Sequence, residues 1–574
     1  CLPDSSGYYD KNKCYFDIYY QTFIHYWTHI DWSSYMFNFV SRRSTVLAKN
    51  GMVATSQPLA SQSGLEILKN GGNAVDAAVA TAAVLNVVEP MSTGIGGDMF
   101  ALYWDNKQKK VFSINGSGSQ SCNVEVKDLT DLGLKSIPNE KNNSHFAVSV
   151  PGTVDGWESL INKFGSMKLS DVLIDSINYA EKGFPVSEII SNVWSSKEVV
   201  EKLSFRKSGE QFLPNGNAPK YGEIIKLPNL AKSLRIISEG GSEAFYKGEI
   251  ASSITNFIQS QGGWLCMEDL AKHKSEWVDP ISTNYRGYEI WECPPNGAGI
   301  IALMALNIVE NFDINSMGLQ SAETYHHLIE SMRLAFSDGL FYVADPNKTH
   351  VPVDQLLSKN YAYKRGLEIS SKEKNYNISY GNPMGGSDTV YLSVIDKEGN
   401  ACSFINSLYS SFGTGLVVPE YGIALQNRGS LFSLDPEHPN YLEPSKKPYH
   451  TIIPGMATKN GELSLSFGVM GGFQQPQGHL QTLVNMIDFD LDPQQALDAL
   501  RFRIDVEGDG VIHLEEGVSS ELVNELKMKG HEVNIVSGYD RVSFGGGQII
   551  SRDPSSNLLM GGTEPRKDGI AVGW

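Results

Sequence analysis

A chain of 574 residues is long enough for several core-sized units, and 41% hydrophobic with 20% charged residues is the balance of a soluble globular protein. With 47 Lys and Arg against 65 Asp and Glu, the net charge of −18 argues against nucleic acid or an anionic membrane as the main partner. The six cysteines (Cys1, Cys14, Cys122, Cys266, Cys293, Cys402) are scattered without a C-x-x-C pair, so their spacing reads as neither a disulfide framework nor a zinc site.

Residues 1–36 form an extension crowded with aromatics, among them Tyr8, Tyr9, Tyr15, Phe16, Tyr19, Tyr20, Phe23, Tyr26 and Trp27. It has no apolar run of the about 7–15 residues of a secretory signal or the about 20 of a membrane helix. No membrane segment is expected, a cytoplasmic location is the expectation, and the extension's role is open. His25 and His29 stand four apart, but no H-E-x-x-H and no carboxylate cluster accompanies them, so no metal site is read there.

From Ser41 onward the pattern is regular. Ala48–Thr55 reads as a short strand following a turn, Leu59–Lys69 has helical period, and Gly71-Gly72 ends that helix. Asn73 caps the next, with Asp76 in its first turn, and 74–88 is apolar nearly all round, which predicts a buried helix. The glycines of Gly94-Ile95-Gly96-Gly97 have no Lys-Ser/Thr after them and no strand before them, which rules out a P-loop and a dinucleotide fingerprint. A strand at 111–114 leads into Asn115-Gly116-Ser117-Gly118-Ser119; a turn at 150–153 opens a helix, and 158–270 is mostly helical by period. A strand is expected at 285–290, helices at 300–309 and 322–336, and an exposed polar connector from 345 to 386.

At Thr389 the chain turns from glycine-rich loop to strand: Val390–Ile395 suits burial on both faces, Asp396–Asn400 reads as a hairpin loop and Ala401–Ile405 as the returning strand. A threonine there is by itself an ordinary β-former. If the bond between Asp388 and Thr389 breaks, it becomes an N-terminal residue with a hydroxyl nucleophile and a free α-amine of pKa about 7.7–8, able to act as its own general base. Further on, Met470-Gly471-Gly472-Phe473 ends a strand and leads into a helix near 477–489; such glycines are either an ordinary turn or backbone donors for an oxyanion. No G-x-S-x-G occurs, which disfavours a serine nucleophile elbow.

Taken in order, Gly71-Gly72-Asn73-Ala74-Val75-Asp76-Ala77-Ala78, Gly94-Ile95-Gly96-Gly97, Pro151-Gly152-Thr153-Val154, Tyr285-Arg286-Gly287-Tyr288, Pro294-Pro295, Thr389 with its strand, Phe412-Gly413-Thr414-Gly415, Gly471-Gly472 and Glu564-Pro565-Arg566 resemble the γ-glutamyltransferase family of N-terminal-nucleophile hydrolases. The resemblance runs from about residue 40 to the C-terminus. It implies an α+β fold, a four-layer αββα sandwich, made as a proenzyme and cleaved between Asp388 and Thr389 into two intertwined subunits: a large one, 37–388, and a small catalytic one, 389–574. It implies Thr389 as nucleophile, Gly471 and Gly472 as oxyanion donors and Ser407 as the hydroxyl supporting the nucleophile. Tyr409, Asn427, Arg428, His450 and Thr451 fall at substrate-binding positions. The partners implied are a small-molecule γ-glutamyl amide such as glutathione and water or an amine as acceptor. No metal or organic cofactor is implied.

The chain also departs from the family. No arginine stands in 115–120, where typical members hold the substrate's α-carboxylate; Leu431 replaces the acid that binds the α-amine; His450-Thr451 replaces a serine pair; and the 432–446 loop is short, as if a lid were absent. Arg428 is therefore expected to take over carboxylate recognition. The pattern is similar to a γ-glutamyltransferase-like branch that shades into cephalosporin and glutaryl acylases. The readings are thus a γ-glutamyl hydrolase/transferase, an amidase of the same mechanism with another acyl group, and an unprocessed inactive relative.

Overall fold

A computed structural model describes residues 43–378, 388–506 and 510–574. The 1–36 extension with His25 and His29, and residues 379–387 of the connector, lie outside the described residues. The strands of the two main sheets are β1 (Val46–Ala48), β2 (Met52–Thr55), β3 (Asp98–Asp105), β4 (Lys110–Gly116), β5 (Glu276–Val278), β6 (Ile281–Tyr285), β7 (Tyr288–Glu292), β8 (Asp388–Ile395), β9 (Ala401–Tyr409), β10 (Gly455–Lys459), β11 (Glu462–Met470), β12 (Gly546–Asp553), β13 (Leu558–Thr563) and β14 (Ile570–Gly573). The helices used below are α1 (Pro58–Lys69), α2 (Ala74–Val88), α3 (Gly299–Val309), α4 (Ala322–Tyr342) and α5 (Gln474–Ile487).

One sheet runs β14-β2-β8-β9-β3-β4-β5 and the other β1-β13-β12-β11-β10-β7-β6, with every neighbouring pair antiparallel. The alternation along β8 shows how they stack. Val390, Leu392 and Val394 join α2 in one core, whereas Tyr391 and Ile395 join Met456, Met470 and Ile550 of the second sheet in another. Helices α3, α4 and α5 cover the far face of that second sheet, against Ala457, Leu465, Phe467 and Ile549. The order is helix, sheet, sheet, helix. Thr389 shares the parity of Tyr391, so the period of two sends its side chain between the sheets.

Helix α2 forms where the pattern places it. Asn73 accepts from the N–H groups of Val75 and Asp76, and Asp76 accepts from Asn73 in return, a reciprocal cap that satisfies donors the helix itself leaves open. All fifteen residues of α2 are buried, and α1 approaches so closely that a Cβ on Gly64 would lie 2.2 Å from the Thr81 hydroxyl. Two expectations change. The stretch 285–290 is not one strand: Arg286 (φ 49°) and Gly287 (φ 85°) form the two-residue turn between β6 and β7. The connector is not simply exposed chain either. It contains helices Val353–Leu356 and Lys359–Gly366, the second capped by Ser358, and Asn375 is pinned to α4 by its N–H on Glu330 Oε2 (2.7 Å) and its carbonyl on Arg333 Nη1 (3.0 Å).

A line drawn between residues 388 and 389 cuts through both sheets. In the first, β2 lies between β14 and β8; in the second, β1 and β7 flank the block formed by β10 to β13. Each sheet therefore mixes strands from before and after that bond, with strands of one side enclosed by strands of the other.

Candidate active site

Thr389 is buried at the root of β8, its Oγ1 3.0 Å from Ser407 Oγ on β9. The strands lose register here: Asp388 faces Tyr409 but Val390 faces Asn406, so β9 carries one extra residue, a bulge that re-aims the side chains around Ser407. Tyr409 closes the bulge at φ 78° and donates its N–H to Ser407 Oγ (2.8 Å), while Arg428 Nη2 donates to the same oxygen (3.1 Å). A hydroxyl oxygen has two lone pairs, and both now have donors, which holds Ser407 Oγ in place beside Thr389 Oγ1.

Arg428 is fully buried in a single turn, Arg428–Leu431. Nη1 donates to Thr451 Oγ1 (2.7 Å), the guanidinium lies 4.5 Å from the Tyr409 ring centroid, and Nε has no partner among the described residues. Burial draws its pKa down to about 10, with the Asp98 charge opposing. Asp98, which heads β3, is equally enclosed. Its Oδ1 accepts from the N–H groups of Gly118 (3.2 Å) and Gly152 (3.0 Å) and from Gln426 Nε2 (3.0 Å). Burial pushes its carboxyl up to about 7, with Arg428 and these donors pulling the other way. His450 Nε2 lies 3.1 Å from Asp98 Oδ2, and its Nδ1 accepts from the N–H of Ile452. Burial first, then Arg428 and Lys447, hold this imidazole well below its usual pKa, so the contact is a neutral Nε2–H donating to the carboxyl oxygen.

The second sheet supplies the other half. Ser393 Oγ donates to Ser466 Oγ (2.6 Å), and a Cβ on Gly468 would lie 2.5 Å from the Tyr391 ring. Steps of two up β11 thus match steps of two down β8, which carries Met470, and Gly471 and Gly472 after it, toward Thr389. Gly471 (φ 122°) and Gly472 (φ 57°) turn the chain into α5, a path that L side chains rarely follow. Neither glycine N–H has a hydrogen-bond partner among the described residues. Next to this turn lies a cavity of about 550 Å³ lined by Leu340, Ser430, Leu431, Phe432, Tyr449 and Phe473, among others. The short 432–446 segment, expected to leave the site without a lid, walls it with Ser433, Leu434, Asp435, His438 and Asn440.

The structure therefore brings Thr389, Ser407, Tyr409, Arg428 and Thr451 into one connected network. Asn427 and His450 lie beside it with their polar atoms engaged elsewhere: Asn427 Nδ2 donates to the Asn139 carbonyl and its Oδ1 accepts from the Ser410 N–H. Arg428 does not line the cavity; Leu431 does. Sequence reasoning missed Asp98 and Gln426. The available signal was a single charge between the Gly94–Gly97 turn and the apolar run of β3.

The sequence profile of the family described as Gamma-glutamyltranspeptidase matches residues 60–574. The chain is 39% identical over 533 residues to the glutathione hydrolase-like YwrD proenzyme of Bacillus subtilis (strain 168), covering 92% of this chain and 99% of that protein. It is 32% identical to the glutathione hydrolase proenzyme of the same organism, covering 92% of each. The crystal structure of cephalosporin acylase from Bacillus halodurans superposes with a TM-score of 0.86 at 45% identity, covering 93% of this chain and 97% of that one. These matches run through both sheets and both sides of Thr389, and the chain belongs to the gamma-glutamyltranspeptidase family.

Proposed function

We propose that this chain is a proenzyme that cuts itself between Asp388 and Thr389 and then hydrolyses or transfers the acyl group of γ-glutamyl amides such as glutathione. The observation that carries the reading is the Thr389 hydroxyl at a strand root, 3.0 Å from a Ser407 hydroxyl held by two donors. In the intact chain Thr389 Oγ1 attacks the Asp388 carbonyl, the acyl group shifts from nitrogen to oxygen, and water hydrolyses the ester. This leaves a carboxylate on Asp388 and a free amine on Thr389. In turnover that amine takes the hydroxyl proton as Oγ1 attacks the substrate carbonyl. The N–H groups of Gly471 and Gly472 hold the oxyanion. Collapse breaks the C–N bond, the ammonium gives its proton to the leaving amine, and water or a second amine takes the acyl group from the threonyl ester.

A denaturing gel tests the maturation step. Wild type should run as two pieces divided at 388/389, and Thr389→Ala as one full-length, inactive chain. If the alanine variant still splits at that bond, another protease makes the cut and the proposal fails.

Leu431 in the cavity wall favours a second reading, an amidase of glutaryl or cephalosporin type. An apolar side chain there offers no partner to a substrate ammonium, whose burial unpaired is costly.

A further inference from the structure

We propose that Cys122, Cys266 and Asp269 form a binding site for a thiophilic divalent cation of the zinc class, outside the Thr389 network. Their ligand atoms all lie within 4.8 Å of one another, although Cys122 closes the 116–122 segment and Cys266 is the N-cap of the helix Met267–Lys272. Two sulfurs and an oxygen around one tetrahedral zinc, at about 2.3 and 2.0–2.2 Å from it, stand about 3.5–3.8 Å apart. From an observed spacing within 4.8 Å, the ligand atoms need to approach by no more than about 1.3 Å to reach it.

The carboxylate is fixed by the backbone of both cysteines. Asp269 Oδ1 accepts from the Cys122 N–H (2.8 Å), and Oδ2 accepts from the Cys266 N–H (2.9 Å) and the Ser121 hydroxyl (2.6 Å). Ser121 is tied in turn to Trp264, whose carbonyl lies 2.9 Å from the hydroxyl, and to the Asn123 N–H. Such outer partners orient a metal ligand, and they leave Oδ1 a lone pair for a cation. Burial pushes the Asp269 carboxyl upward, but these hydrogen bonds outweigh it and keep the group ionised. Burial together with the Asp269 charge and Cys266 pushes the Cys122 thiol up to about 12. A cation reverses that repulsion, and on binding it replaces the two thiol protons, which leave to solvent, so that two thiolates and one carboxylate surround a 2+ charge. Sulfur ligands select zinc, cadmium or cobalt over magnesium and calcium, and partial exposure of all three residues leaves a fourth position to water.

The test is a titration of the reduced, full-length protein with Co²⁺, following thiolate-to-cobalt charge-transfer absorption, with Zn²⁺ as competitor. One equivalent should bind and release about two protons, read with an indicator dye in weak buffer. Cys122→Ser and Cys266→Ser should each weaken binding by about 100-fold or more, with melting curves confirming that they fold. In the wild type, Zn²⁺ should slow alkylation of Cys122 and Cys266 in peptide mass mapping. Absence of the bands, or bands that survive the double serine variant, would overturn the site. A pair that isolates as a disulfide and takes up no cobalt once reduced would overturn it too, and would make the pair a redox one.

Discussion

Arg428 carries its charge with one hydroxyl, that of Ser407, between it and the Thr389 oxygen. A cation at that range disfavours protonation of the amine that scission would create, holding it in the basic form that the reaction uses. Arg428→Met should raise the amine's pKa by about one unit, so the acidic limb of kcat/KM against pH moves to higher pH. Following this with γ-glutamyl anilide and with butyryl anilide, which lacks a carboxylate, separates two roles. A shift common to both substrates marks a positioning residue, whereas a loss of about 10–100-fold confined to carboxylate-bearing acyl groups marks a carboxylate reader. Asp98 gives a second prediction. Its folded pKa of about 7 lies above the ordinary carboxylate value, so the folded state keeps a proton that the unfolded chain gives up. Its contribution to stability is complete below about pH 4 and is lost as pH rises to about 7. The lead in Tm of wild type over Asp98→Asn should therefore shrink across that window; a constant or growing lead would refute the assignment.

At the scale of elements, the turn from β11 into α5 joins conformation to chemistry, since the φ values of Gly471 and Gly472 that reverse the chain also leave two N–H groups without partners among the described residues. Gly472→Pro removes one donor and should cost about 10²–10³ in turnover, with KM less affected. Near-normal turnover in a folded, processed variant would take the glycine off the catalytic list. The elements themselves were legible where the signal is local. Asn73, Asp76 and an alanine-rich run are enough to place α2, and β8 follows from six consecutive residues that suit a buried strand. The helices at 353–356 and 359–366 escaped because they are short and their apolar periodicity is slight.

At the scale of the molecule, what stayed hidden is what depends on distant segments meeting. Asp98, Gln426 and His450 come from a strand start and two loops, and no spacing within any one of them announces the cluster. Cys122 and Cys266, which sequence spacing reads as unrelated, meet only because the 116–122 segment runs beside the helix at 267–272. The family motifs revealed the nucleophile more surely than its surroundings, because a strand root is written in adjacent residues and a buried charge network is not.

The interleaving of strands across the 388/389 line has a kinetic consequence. Before scission the protein can find its fold as a single chain, in a first-order process independent of concentration. After scission β2 still has to slot between β14 and β8, but these now belong to a different molecule, so renaturation becomes a second-order encounter of two incomplete sheets. Thr389→Ala proenzyme should recover from denaturant with a yield indifferent to dilution, while processed enzyme should recover progressively less as it is diluted. Refolding yields that fall equally for both on dilution would count against an interlocked pair. One hydrolysed bond would thus leave the architecture in place and remove the easy way back to it.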